Sequence, residues 1–429
     1  MPGGSPPTPA MTDVADTDLE PIEAGSGHRA ADVWLIETDA ELDSVAARCA
    51  RAEILALDVE ADGLFVYRPK TCAMQLAWRE DGRVVTVVID TLKVHVARLA
   101  GLLGPAGPVK VLHDLTFDAR LLEESGAPLA NVRDTSVAAR LLGINATGLG
   151  ALLTSELGIT LPKRFQQHDW AQRPLAPEHL DYLVGDVLHL LDLESLLGAR
   201  IAALGLEPEW AEECAYKLAT AQRPPRDPRP AYARIKRASE LDAQGRAALR
   251  RLVETREAAA VAADVPPFKI IGPDVLLEIA RRRPRTVAEL HQVRGAASGR
   301  AARLTGAWLA AITQGARDGE IPATDRSHFD PPKRDRAAQT LRRAREAQIS
   351  AWRRAVALAR GVVDQAVLPG HCAQELLEVI LAAPDDDEAL RAQIAAIPGL
   401  GAKRFELYGE AFVALARSPV PASAARREA

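Results

Sequence analysis

Cysteine is scarce in this 429-residue chain. The four present, Cys49, Cys72, Cys214 and Cys372, lie far apart and form no Cys-x-x-Cys pair. That spacing argues against a structural zinc site or a disulfide framework and fits a reducing cytosol. Aromatic residues make up only 4% of the chain, so its cores must be packed mainly with Leu, Ala and Val. No apolar run approaches the roughly 18 residues that a membrane span needs. Residues 1–30 are rich in Pro, Gly, Ser and acids and lack the basic start and apolar centre of a signal peptide. They are expected to form a disordered tail, and the chain is expected to be cytoplasmic with no membrane partner. A large charge of one sign is also missing, the net value being −5.

That small net charge conceals an asymmetry. Residues 223–357 contain 28 Lys and Arg against 15 Asp and Glu, so the rest of the chain is correspondingly acidic. Local positive charge gathers phosphates, while carboxylates hold metal, which suits a nucleic-acid enzyme. The competing reading is that the arginines merely solvate helix surfaces. With 48% hydrophobic and 26% charged residues the composition is that of ordinary globular protein. The length leaves room for about two to three domains.

The acidic part carries four carboxylates and a tyrosine in a telling order. Ile54-Leu55-Ala56-Leu57 has the text of a buried strand and runs into Asp58-Val59-Glu60. Residues two apart on a strand share a face, so Asp58 and Glu60 project side by side from its end. Asp118 closes His113-Asp114-Leu115-Thr116-Phe117-Asp118. Tyr182 and Asp186 are four apart in an apolar helical run, hence on one helix face. A carboxylate on such a face is costly unless a cation meets it. Acidic oxygens with no Cys or His set favour Mg²⁺ or Mn²⁺.

These three motifs, Asp-x-Glu, an aromatic followed by Asp, and Tyr-x-x-x-Asp, resemble those of the DEDD exonucleases of the tyrosine subclass, and within it the ribonuclease D family. The connecting text is similar too: Tyr67-Arg68-Pro69-Lys70, Gln75-Leu76-Ala77, Lys110-Val111-Leu112-His113, Asp134-Thr135, Gln167-His168-Asp169-Trp170 and Arg173-Pro174-Leu175. The resemblance spans roughly residues 33–215. One departure is Asp58-Val59-Glu60-Ala61, where many of the family read Asp-Thr-Glu-Phe; it leaves the acidic pair intact and bears on substrate preference.

The resemblance implies a mixed α/β sheet of the ribonuclease H-like kind and hydrolysis of RNA from the 3′ end, releasing nucleoside 5′-monophosphates. It implies that Asp58, Glu60, Asp118 and Asp186 hold two divalent ions and that Tyr182 orients the attacking water. His113, Phe117, Lys163 and Gln167 are candidate substrate contacts, with a core role for Phe117 equally open. Trp170 is expected to pack rather than stack on substrate, His168, His179 and His189 to be structural or surface groups, and Asp134 to cap a helix. The implied substrate is structured RNA such as tRNA precursors. The alternatives are a DNA 3′–5′ exonuclease, which the same motifs serve, and a nucleic-acid-binding scaffold without catalysis.

Along the chain, strands are expected near Val33–Ile36, Ile54–Val59, Cys72–Trp78, Val84–Ile89 and Val109–Leu112, with a hairpin turn at Asp81-Gly82. Helices are expected over Leu92–Leu103, Phe117–Glu124, Thr135–Leu142, Gly148–Leu157 and, as one long element, Pro177–Leu197. The exonuclease domain would cover 31–222, and a stiff Pro- and Arg-rich linker 223–234. Beyond it the text is all helix. Residues 235–316 resemble an HRDC domain. Leu276-Leu277-Glu278-Ile279 returns as Leu376-Leu377-Glu378-Val379, and Gln292-Val293-Arg294-Gly295 is answered by Ala396-Ile397-Pro398-Gly399. A second HRDC-like helical domain is therefore expected over 340–417, entered through a basic loop at Pro331–Arg334. The Ile397–Gly401 turn is of a kind that can hold a phosphate backbone, although a plain turn is the commoner use.

Overall fold

Six strands form one mixed sheet in this computed structural model, which describes residues 32–162, 164–223, 227–329 and 335–419. The tail at 1–30, Lys163, Pro224–Arg226 of the linker and the loop Pro331–Arg334 lie outside the described residues. The strands are β1 (Asp32–Ile36), β2 (Ile54–Ala61), β3 (Thr71–Glu80), β4 (Arg83–Ile89), β5 (Val109–Leu112) and β6 (Val132–Asp134). Their order is β1-β4-β3-β2-β5-β6. β2 pairs antiparallel with β3 and parallel with β5. Asp81 and Gly82, both at positive φ, make the two-residue turn between β3 and β4.

Helices cover both faces of the sheet. Leu55, Leu57 and Val59 point into a core shared with α1 (Asp39–Cys49), α2 (Ala100–Leu103) and α3 (Thr116–Glu124). Ala56 points the other way, into a core shared with α4 (Thr135–Leu141), α5 (Leu149–Leu152), α7 (Leu190–Ala203) and α8 (Glu207–Gln222). On that second face α6 (Pro177–Leu188) crosses β2, β3 and β4. Because strand side chains alternate, Asp58 and Glu60 share the face of Ala56 and meet α6.

Three expected helices change form. The segment from Leu92 becomes helical only at Val96: Asp90 takes up the N–H groups of Leu92, Lys93 and Val94, and Asp39 takes that of His95. Gly148–Leu157 starts as α5 but widens into a π turn over Leu153–Leu157, stopping at Gly158 with φ of 71°. Pro177–Leu197 is two helices, α6 and α7, broken at His189. Each half follows a different surface: α6 lies across β2–β4, whereas α7 packs on β2, β5 and α4.

Beyond residue 230 the described residues form helices without a strand. α9 (Ala243–Ala262), α10 (Pro273–Arg282), α11 (Val287–His291), α12 (Gly299–Ala302) and α13 (Thr305–Asp318) enclose Leu249, Leu252, Leu276, Ile279, Leu290 and Trp308. α9 and α13 approach so closely that a Cβ on Gly315 would sit 2.5 Å from the Ala248 Cα. A second body, α14 (Arg336–Arg360), α15 (Asp364–Val367), α16 (Gly370–Leu381), α17 (Asp387–Ala395) and α18 (Gly401–Arg417), buries Leu368, Leu376, Leu390, Ile394 and Phe412. The repeated Leu-Leu-Glu text falls on α10 and α16, and both answering turns end on a glycine at positive φ, Gly295 and Gly399.

Each helical body docks on the sheet domain at a different place. The first meets the loop after β2, where the Tyr67 N–H donates to Asp264 (3.2 Å) and its hydroxyl to Glu257 (3.3 Å), while Lys269 lies 4.2 Å over the Phe65 ring. The second meets α8. The Lys403 N–H, in the first turn of α18, donates to Glu212 Oε1 at 3.1 Å, and buried Arg404 reaches Glu213 at 3.2 Å. A Cβ on Gly401 would lie within 1.9 Å of the Glu212 carboxyl carbon. The turn suited to a phosphate thus holds a carboxylate of the same chain. No helix among the described residues is long and apolar enough to cross a membrane.

Candidate active site

Asp58 and Glu60 stand at the end of β2, just before the register shift between Glu60 and Ala61 that ends regular pairing with β3. α6 brings Asp186 to them. One carboxylate oxygen from each of Asp58, Glu60 and Asp186 lies within 4.8 Å of the others, and all three residues are half-buried. Asp118, in the first turn of α3, is buried and falls outside that tight set, yet its carboxylate feels those of Asp58 and Glu60. Sequences 128 residues apart therefore meet because α6 crosses the end of β2 (residues 58 and 186).

The electrostatics describe a site built for a cation. Burial raises Asp58 to about 7. Burial and repulsion from Asp58 and Asp186 raise Glu60 to about 9, against a hydrogen bond from the Trp170 side chain. Asp186 is raised to about 8 by burial and by Asp58, and Asp118 is well above its ordinary value for the same reasons. Among the described residues no Lys or Arg forms an ion pair with any of the four. Crowded, hard oxygen donors without a protein counter-charge fit a divalent ion, which would offset the burial and repulsion that raise their pKa values.

Tyr182 is one helical turn from Asp186. Its phenol is pushed well above 10 by burial first, then by Asp186, Glu60 and Asp58, so it stays protonated at neutral pH. Its ring stacks on buried Trp170, with centroids 5.6 Å apart and planes 26° apart, and Phe165 meets its edge at 5.8 Å. Trp170 is packing, as expected. His168 and His179 join the same cluster, 4.2 Å apart, and the His179 ring accepts the Ala176 N–H at the start of α6.

The turn before Asp118 is pinned by Asp134. That carboxylate caps α4 through the Ser136 and Val137 N–H groups and accepts those of Asp114 and Leu115 as well. Lys217 of α8 ties it to Asp114, at 2.6 and 2.7 Å. Burial alone would raise Asp134, but Lys217 and these hydrogen bonds hold it below the usual carboxylate range. Of the candidate substrate contacts, Phe117 is 43% exposed under the Arg120 guanidinium, which rules out a core role. His113 is half-buried with Nδ1 2.9 Å from the Thr135 hydroxyl, and Gln167 is exposed. Sequence reading passed over the ion pair of buried Asp90 and half-buried Arg173, at 2.7 Å, behind the Trp170 segment. Arg173 was signalled only by the quoted Arg-Pro-Leu text, and Asp90 by no motif.

Comparison with known proteins agrees with this geometry. The model of a 3′–5′ exonuclease family matches residues 33–202, and that of the HRDC domain matches residues 246–312. The chain is 30% identical over 308 residues to ribonuclease D of Gluconacetobacter diazotrophicus, covering 70% of this chain and 77% of that one. It is 28% identical over 380 residues to ribonuclease D of Acidiphilium cryptum, covering 87% and 91%. The fold is similar to the crystal structure of Escherichia coli RNase D, with a TM-score of 0.63 at 23% identity, over 89% of this chain and 98% of that one. An Asp-x-Glu strand, a buried Asp on α3 and Tyr-x-x-x-Asp on a crossing helix thus coincide with a relationship along most of the chain, which belongs to the ribonuclease D family.

Proposed function

We propose that this 3′–5′ exoribonuclease trims the 3′ ends of structured RNA, tRNA precursors above all, in the cytoplasm, one nucleoside 5′-monophosphate at a time. The observation that carries the reading is the convergence of Asp58, Glu60 and Asp186 within 4.8 Å, with no protein cation among the described residues to balance them. Asp58, Glu60, Asp118 and Asp186 would hold two divalent ions, Mg²⁺ or Mn²⁺. Bound there, the pair supplies charge neutralisation at the scissile phosphate and acidifies the attacking water. Tyr182 would orient this water through its hydroxyl and act chiefly by positioning, since a free tyrosine, with a pKa of about 10, is a poor base at neutral pH. Exposed Phe117 and half-buried His113, flanking the turn into Asp118, would meet the terminal nucleoside, and exposed Gln167, in the segment leading to α6, would add a further contact.

The helical bodies over 235–316 and 340–417, joined to the exonuclease domain of 31–222 through 223–234, would grip the body of the RNA, the first as an HRDC domain and the second as a similar module. Surplus positive charge in 223–357 supports that division of labour. The deciding experiment incubates pure protein with 3′-extended tRNA and with matched single-stranded DNA, each with and without divalent metal. Metal-dependent release of 5′-monophosphates from the tRNA is the expected result. Full activity in excess EDTA, or products ending in a 3′-phosphate, would overturn the reading, and preference for the DNA would transfer it to that substrate.

A further inference from the structure

Trp170 touches the candidate site yet belongs to none of its three motifs. Its ring stacks on that of Tyr182, with centroids 5.6 Å apart. It does not sit on a regular element; it lies in the turn-rich segment that precedes α6. A tryptophan in such a segment needs something to hold its backbone, and the structure supplies Arg173.

All five guanidinium N–H donors of Arg173 are used. Nε and Nη2 donate to the two oxygens of Asp90, each at 2.7 Å. Nη1 donates to the carbonyls of Trp170 (2.7 Å) and Gln172 (2.8 Å), and Nη2 donates also to the carbonyl of Cys72 on β3 (2.7 Å). The Asp90 side chain is 1% exposed. Asp90 is itself fixed at the end of β4, where its backbone N–H bonds the Ile36 carbonyl of β1. One side chain therefore ties the Trp170 backbone to the sheet that carries Asp58 and Glu60. A lysine could keep the charge beside Asp90 but not the planar fork.

We propose that Arg173 is a positioning residue for the exonuclease reaction: by clamping Trp170 to β3 and Asp90, it sets the ring against which Tyr182 is oriented. The inference rests on the role given to Tyr182 above. Mispositioning a reacting group by about 1 Å can cost as much as about 100-fold in rate, so loss of the clamp should register in turnover more than in binding.

The test is a double-mutant cycle in the full chain, using single-turnover and steady-state cleavage of a short 3′-labelled RNA. Arg173→Lys is expected to lower kcat by at least about 10-fold with KM within about two-fold. In a Tyr182→Phe background the same change should cost almost nothing further, because the group it positions is gone. A second readout needs neither metal nor substrate. In protein labelled with 3-fluorotyrosine, the ¹⁹F resonance assigned to Tyr182 should shift and broaden in Arg173→Lys, while those of the other tyrosines among the five stay in place. If Arg173→Lys does not unfold in a cooperative thermal transition, Trp170→Phe, which keeps an apolar ring, carries the same cycle. Costs that add in the double mutant, or an unmoved Tyr182 resonance, would overturn the positioning role while leaving Tyr182 itself in place. A wild-type rate for Tyr182→Phe would overturn both.

Discussion

Each carboxylate of the site costs folding free energy until a cation arrives, and this gives residue-scale predictions. Asp58→Asn or Asp186→Asn should lower turnover by orders of magnitude and leave RNA binding largely intact, since each removes a donor oxygen from the set within 4.8 Å. Tyr182→Phe should be slower by about 10²–10⁴-fold yet still bind metal, because only a positioning hydroxyl is lost. Calorimetric metal titration of the variants separates the two roles. The pH dependence follows from carboxyls raised to about 7, 8 and 9. Without metal the folded state holds protons that the unfolded chain has already lost above about pH 4–5. Stability of the EDTA-treated protein should therefore fall as pH rises from there through about 9. Metal binding displaces those protons, so affinity should rise across pH 7 to 9. A melting temperature that climbs with pH in EDTA would contradict this assignment.

At the scale of elements, local signals decided where helices begin, and packing decided where they stop or bend. α1 carries a legible start that sequence reading left unused: Thr38 caps it and Glu41 reaches back to the Thr38 N–H, the S/T-x-x-E pattern. The break at His189 had no such mark, because the apolar text runs on and only the need to cover two surfaces turns the chain. Asp134 joins both kinds of information. Its helix-capping role was expected from Asp134-Thr135, but its hold on the Asp114–Leu115 turn depends on a contact twenty residues back in sequence. Asp134→Ala should cost about 3–5 kcal/mol in urea unfolding, as loss of one partner in a buried, charged network does. It should also lower kcat by loosening the turn that delivers Asp118, and a loss of stability at unchanged kcat would confine Asp134 to a structural role.

For the whole molecule, α8 faces two ways. Lys217 reaches the turn before Asp118, while Glu209, Glu212 and Glu213 receive Arg360, Lys403 and Arg404 of the second helical body. With its Ile397–Gly401 turn occupied by Glu212, that body offers RNA less there than its sequence suggests. The first body retains exposed Arg294, Arg300 and Arg303 in and beside α12. If they contact phosphates, changing all three to Gln should flatten the dependence of log affinity on log salt by about 0.7–0.9 per contact. Affinity for a tRNA precursor measured from low to physiological salt checks this, and an unchanged slope would return these arginines to the solvated-surface reading.

The sequence by itself determined the strand and helix text, the faces on which Asp58, Glu60, Tyr182 and Asp186 lie, and the succession of an α/β domain and helical bodies. These follow from side-chain periods of two and 3.6 residues and from local capping, which act over a few positions. Only the tertiary structure decided that three carboxylates converge while Asp118 stands beside them, that Arg173 holds Trp170 against Tyr182, and that Glu212 fills the Gly401 turn. Those contacts join residues up to about two hundred positions apart (212 and 403). No local pattern encodes them, because each forms only after packed layers have brought the closing loops together.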